Sequence, residues 1–143
     1  MKRIHIHVGV EDIATSTAFY SAMFGSAPTK EEADYAKWQL DDPRVNFAIS
    51  SDHHAANGVE HLGIEVESAA ELADVYARLE EAGRPVIDEG STQCCYAKSE
   101  KHWVTDPDGV IWETFHTTGD HTSYGEDAGL AKALEAGKGA SCC

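Results

Sequence analysis

The chain has 143 residues, 42% of them hydrophobic, with 25 acidic against 11 basic side chains and a formal net charge of −14. That length fills one domain core, or two small modules sharing one, without disulfide staples, and the charge repels phosphate backbones and anionic lipid, so nucleic acid and membrane surfaces are excluded as partners. The opening MKRIH has no apolar run of signal-peptide length behind it, and no stretch approaches membrane-spanning length, so a soluble cytoplasmic protein is expected.

Residues 3–10, RIHIHVGV, alternate with period two: Ile4, Ile6, Val8 and Val10 share one face, His5 and His7 the other, which predicts a strand. Asp12-Ile13 opens a helical pattern through Ala18, Phe19, Tyr20, Met23 and Phe24, with Gly25 as its stop. Extended stretches follow at residues 29–35, 36–40 and 45–50, the last two separated by the turn Asp41-Asp42-Pro43-Arg44. After a polar linker at residues 52–58 the order repeats. Residues 59–66 alternate, with Leu62, Ile64 and Val66 opposite His61, Gly63 and Glu65. A helical pattern covers residues 68–81, with Leu72, Val75, Tyr76 and Leu79 at helix spacing and Gly83 after it. Extended stretches at residues 86–96 and 101–105 lead to the turn Asp106-Pro107-Asp108-Gly109 and a last strand at residues 110–117.

Laying one half on the other pairs His5 with His61, Trp38 with Trp103, Asp42-Pro43 with Asp106-Pro107, Phe47 with Trp112 and Ala48 with Glu113. A unit that cannot bury its own sheet face, present twice, predicts modules that pack together. The expected fold class is α+β: two βαβββ modules forming a cupped mixed sheet, helices outside. Module one is residues 1–51 and module two residues 59–118, together one domain over residues 1–118. Residues 119–143 read as a flexible tail with a short helix near residues 127–136, ending in Cys142-Cys143. Trp38 and Trp103 read as packing aromatics.

The other cysteines, Cys94 and Cys95, are also adjacent, which does not suit a secreted disulfide framework. They are either an ordinary reduced pair or a grip for a thiophilic metal or metalloid, since thiolates are soft ligands. Neighbours in a strand point to opposite faces, so joint use requires a bulge, a loop or a mobile segment there.

The motifs HIHVGVED with Phe19-Tyr20, and DPDGVIWE at residues 106–113, resemble the vicinal oxygen chelate superfamily, the glyoxalase and bleomycin-resistance fold that cups a metal between paired modules. Carried over position by position, the resemblance implies His5, His61 and Glu113 as metal ligands. The fourth position is Ala48, which cannot coordinate. Two imidazoles and a carboxylate with open positions suit Fe(II), with Mn, Ni or Zn able to take its place. His7 shares the face of His5 and would orient it, donate to bound oxygen or substitute as ligand.

The vicinal Cys94-Cys95, with the stretches Tyr35-Ala36-Lys37-Trp38 and Asp42-Pro43-Arg44-Val45-Asn46-Phe47, narrows the resemblance to the carbon-arsenic lyase and cadmium-induced protein group. It implies an Fe(II)-dependent dioxygenase, with dioxygen as cosubstrate, that cleaves the carbon-arsenic bond of trivalent methyl- or aryl-arsenicals to arsenite. Cys94 and Cys95 would hold the As(III). Two other readings stand beside it: a cadmium- or arsenic-binding resistance protein without turnover, and a metal-dependent thiol transferase of the fosfomycin-resistance type, against which the cysteine pair argues. Two modules in one chain permit a monomer or a homodimer.

Overall fold

Strand, helix and three further strands follow one another twice along the chain, the order the repeat predicts. In this computed structural model residues 1–51, 57–94, 96–120 and 128–138 are described, in two units taken in turn: Arg3–Leu62, and Gly63–Cys143 with Met1–Lys2.

In the first unit β1 (Arg3–Gly9) leads to α1 (Ile13–Phe24), β2 (Lys30–Glu31), β3 (Tyr35–Asp41) and β4 (Arg44–Ser50); β5 (Gly58–Val66) begins here and crosses the division after Leu62. The strand order is β2-β3-β4-β1, with β1 parallel and β3 antiparallel to β4. Asp12 caps α1 by accepting the Thr15 N–H at 2.7 Å, and Gly25, at φ 67°, ends it in the left-handed conformation that a residue without Cβ adopts cheaply. Ile6, Val8 and Val10 pack with Tyr20 and Phe24 against Ile13, Trp38, Phe47 and Ile49. Ile4, expected on that face, is 49% exposed. The strand over residues 29–35 contracts to Lys30–Glu31, because the Glu32 N–H donates to the Tyr35 carbonyl at 2.8 Å and turns the chain. On the other face of β1, His5 and His7 are 5% and 1% exposed. Polar rings buried this deeply require polar partners.

The second unit holds the rest of β5, then α2 (Ala69–Glu81), β6 (Ile87–Cys94), β7 (Ala97–Thr105), β8 (Ile111–Asp120) and α3 (Ala128–Lys138), with strand order β5-β8-β7-β6. Ser68 caps α2 by accepting the Glu71 N–H at 3.2 Å. The Asp106 carboxylate accepts from the Val110 and Asp108 N–H groups, both at 2.9 Å; these bonds, that of Val110 foremost, hold its carboxyl below the usual range. With Gly109 at φ 89°, the turn fixes the register that places Trp103 opposite Glu113. Residues 97–100, which carry no strand pattern in the sequence, pair with both β6 and β8. Trp38 and Trp103 are packing residues, fully buried: the Trp38 indole donates to the Ser26 carbonyl at 3.1 Å and the Trp103 indole to Glu89 at 2.8 Å.

The helix expected near residues 127–136 is present as α3, and it is docked. Leu130 and Ala133 pack on Trp103, Ile87 and Ile111. An irregularity in β6 between Asp88 and Gly90 re-aims Glu89, as bulges do. Its carboxylate accepts from Trp103 Nε1 at 2.8 Å and from the Gly129 N–H at 2.9 Å. A Cβ at Gly129 would lie 2.3 Å from Trp103 Cδ1 and 2.5 Å from Glu89 Oε2, so only glycine allows this approach. Gly129→Ala is expected to lift α3 from the sheet, read as faster amide hydrogen exchange throughout residues 128–138; exchange rates equal to the parent would refute the docking. Among the described residues no helix is long and apolar enough to cross a membrane.

Candidate metal centre

Three imidazoles meet within the first unit. His5 and His7, two residues apart, project from one face of β1, and His61 comes from the first half of β5. One ligand nitrogen of each lies within 4.8 Å of the others, and all three residues are buried. His5 Nε2 and His61 Nε2 are 3.2 Å apart; the His7 ring is 4.9 Å from that of His61 and 6.1 Å from that of His5.

The surroundings decide what those nitrogens offer. His5 Nδ1 lies 3.0 Å from the Asn46 carbonyl, which can only accept, so His5 donates from Nδ1 and carries its lone pair on Nε2. His61 Nδ1 lies 3.3 Å from Glu60 Oε2, without hydrogen-bond geometry. The two Nε2 atoms stand 3.2 Å apart, within reach of one N–H···N hydrogen bond or of one shared cation. Nitrogens about 2.0–2.1 Å from a shared ion sit roughly 3.0–3.4 Å apart at neighbouring coordination positions, so the rings fit a metal. Neutral imidazoles suit Fe, Ni, Cu or Zn rather than Mg or Ca. Two of the rings also have the oxygen partner that orients a coordinated imidazole: Asn46 for His5, and for His7 the Ser50 hydroxyl, 2.8 Å from Nε2.

Glu113 belongs to the second unit. It is 5% exposed on β8, and its Oε1 accepts from Lys101 Nζ at 2.6 Å. Lys101 is 3% exposed and holds its ammonium 5.5 Å from the centroid of the Trp103 ring. Cys94 ends β6 in register with Ala97, and the following Tyr96 adopts φ 60°. The side chain of Cys94, and the whole of Cys95, Cys142 and Cys143, lie outside the described residues.

Sequence reasoning missed Asn46, Ser50, Glu60 and Lys101. A signal existed for two of them. Asn46 interrupts the apolar run of RVNFAIS, and Lys101 stands two residues from Trp103 on the same strand face, where a cation needs a buried partner. Glu60, next to His61 in an alternating strand, gave none.

Two modules of strand, helix and three strands, with histidines at matched positions, define a glyoxalase-type fold. The chain belongs to the Glyoxalase/Bleomycin resistance protein/Dioxygenase superfamily, whose profile matches residues 2–114. It is 43% identical over 119 residues to the trivalent organoarsenical cleaving enzyme of Bacillus sp. (strain MD1), an alignment covering 82% of this chain and 74% of that protein. It is 38% identical over 129 residues to the probable trivalent organoarsenical cleaving enzyme of Bacillus subtilis (strain 168), covering 90% and 88%. Among solved structures, the Mn(II)-bound glyoxalase from Novosphingobium aromaticivorans superposes with a TM-score of 0.60 at 19% identity, covering 90% of this chain and 44% of that one, a likeness of fold.

Proposed function

We propose that this protein is an Fe(II)-dependent dioxygenase that cleaves the carbon-arsenic bond of trivalent organoarsenicals to arsenite. The observation that carries the reading is the 3.2 Å approach of His5 Nε2 and His61 Nε2, the spacing of neighbouring ligands on one ion, in a chain whose relatives at 38–43% identity are named for cleaving trivalent organoarsenicals. His5 and His61 would hold the metal, with Glu113 as the carboxylate ligand. When bound, Fe(II) supplies redox chemistry with dioxygen that amino-acid side chains cannot perform.

The chain's own residues do the rest. Cys94 and Cys95 exchange for the two oxygen ligands of a methyl- or aryl-arsenous acid: two arsenic-sulfur bonds form, two arsenic-oxygen bonds break and two waters leave. The one carbon-arsenic bond stays to be cleaved. Holding it in place turns a collision between substrate and oxidant into a positioned encounter, worth up to roughly 7–11 kcal/mol in well-oriented systems. Water then replaces the two sulfurs on arsenic, returning both thiols and releasing arsenite, and the organic fragment leaves oxidised, dioxygen being the oxidant. Asn46 and Ser50 keep the His5 and His7 imidazoles oriented throughout.

The test is anaerobic reconstitution with Fe(II), addition of methylarsenous or phenylarsenous acid, then admission of oxygen. Arsenite release that requires oxygen is expected. Stoichiometric arsenical binding with no arsenite after oxygenation would overturn the proposal in favour of a sequestering protein.

A further inference from the structure

We infer that the second unit carries a separate binding site for an apolar monocarboxylate: a cavity between α2 and the sheet face it covers, with Arg84 in its wall as the partner of the carboxylate. The inference is independent of the metal reading.

Three observations carry it. The first is a volume that one module fills and the other leaves open. In the first unit the helix meets the sheet through interlocked rings: Tyr20 and Phe24 of α1 lie 4.6 and 5.2 Å from the Phe47 ring, and Trp38 stands opposite Phe47 in the β3–β4 register. In the second unit Val75 and Leu79, again four residues apart on the helix, face the sheet, and Val104 stands opposite Trp112 in the β7–β8 register. Aliphatic side chains thus occupy three of the four ring positions, and a cavity of about 280 Å³ lies among them. Protein interiors hold few voids larger than a water molecule, so this space is of ligand size rather than a packing gap. The second observation is its lining. Ile64, Val75, Leu79, Val104, Pro107 and Trp112 make the wall mostly apolar, which suits a hydrocarbon body and offers water few partners. At the packing density of interiors the volume admits roughly ten to twelve non-hydrogen atoms.

The third is Arg84. It lines the cavity, is half-buried, and has no ion-pair partner among the described residues, in a chain whose 25 acidic side chains outnumber 11 basic ones. Asp106 also lines the cavity, but its carboxylate is engaged by the Val110 and Asp108 N–H groups. A guanidinium beside an apolar cleft recognises a carboxylate through paired N–H donors. One guanidinium balances one charge, and a net charge of −14 disfavours a dianion. The ligand class is therefore a monocarboxylate with a hydrocarbon body of roughly eight to ten carbons, rather than a phosphate ester. Trp112 and Thr114, both in the wall, flank Glu113 on β8. Strand neighbours point to opposite faces, so the ligand stands behind that carboxylate without touching it.

The probes are octanoate and its uncharged counterpart octan-1-ol, titrated into the whole protein and followed by calorimetry and by methyl resonances. One octanoate per chain is expected, shifting the methyl groups of Ile64, Val75, Leu79 and Val104, with octan-1-ol roughly tenfold or more weaker. Arg84→Gln should weaken octanoate by the same factor and leave octan-1-ol unchanged. Val75→Phe, which refills the cavity as Tyr20 does in the first unit, should abolish both. The inference is overturned by the lack of saturable binding at millimolar octanoate, by shifts centred instead on the exposed Phe19 and Met23 of α1, or by Arg84→Gln binding octanoate as the parent does. If Val75→Phe does not fold, the methyl map of the parent and the Arg84→Gln comparison decide.

Discussion

Serine at either Cys94 or Cys95 is expected to reduce oxygen-dependent arsenite release by roughly 10²–10⁴-fold while leaving iron content unchanged. The magnitude follows from chelation. Once one thiolate has bound arsenic, the second bond forms within the same molecule, and linking two weak grips typically adds that factor to the overall affinity. A hydroxyl cannot replace the lost grip, because serine is neither ionised nor soft at neutral pH. Iron should be indifferent, since the cluster found among the described residues is assembled from imidazoles of β1 and β5. The check is paired: arsenite by chromatography with elemental detection, and iron by chelator absorbance on the same samples. Both serine variants retaining activity within tenfold of the parent would end the arsenic-gripping role.

Much of this fold is readable along the chain because its signals are local. Asp12 and Gly25 bracket the first helix, Ser68 opens the second, and Asp106-Pro107-Asp108-Gly109 closes the last hairpin. Each acts on a backbone group within five residues, so a single window of sequence contains cause and effect. The repeat supplied the rest, since matching His5 to His61 selects two of the three imidazoles before any coordinates are known. What escaped was set by partners far apart. Residues 97–100 join β7 because β6 and β8 flank them on either side, although their own pattern, AKSE, is polar. The docking of α3 depends on a bulge that turns Glu89 toward Gly129, 40 residues away. At the site, Asn46 reaches His5 across 41 residues through a parallel register, and no local periodicity encodes which strands will be neighbours. The buried Lys101 was hidden for another reason. In composition it counts as one more surface charge, and only the register beside Glu113 gives it a buried role.

That lysine yields the largest expected change in stability. Lys101→Met leaves the Glu113 carboxylate buried without the ammonium now 2.6 Å from it, both side chains being at most 6% exposed. Removing one partner of a buried ion pair costs about 3–5 kcal/mol, because the remaining charge keeps its desolvation penalty and loses its compensation. For a chain of this size that corresponds to a fall in Tm of roughly 6–20 °C. The double variant Lys101→Met with Glu113→Gln removes both charges and is expected to regain most of the loss, leaving uncharged side chains in place of a buried anion that has lost its lysine. Thermal denaturation of metal-free protein measures both; a single variant within 1 °C of the parent would show that the pair contributes nothing. The same variant tests the proposed role of Glu113. A carboxylate that ligates the metal gains in Lys101→Met the cation it has lost, so saturating Co(II) should raise the Tm of that variant by more than it raises the parent's. Equal shifts would mean that Glu113 serves Lys101 alone, and the metal would then be held by imidazoles.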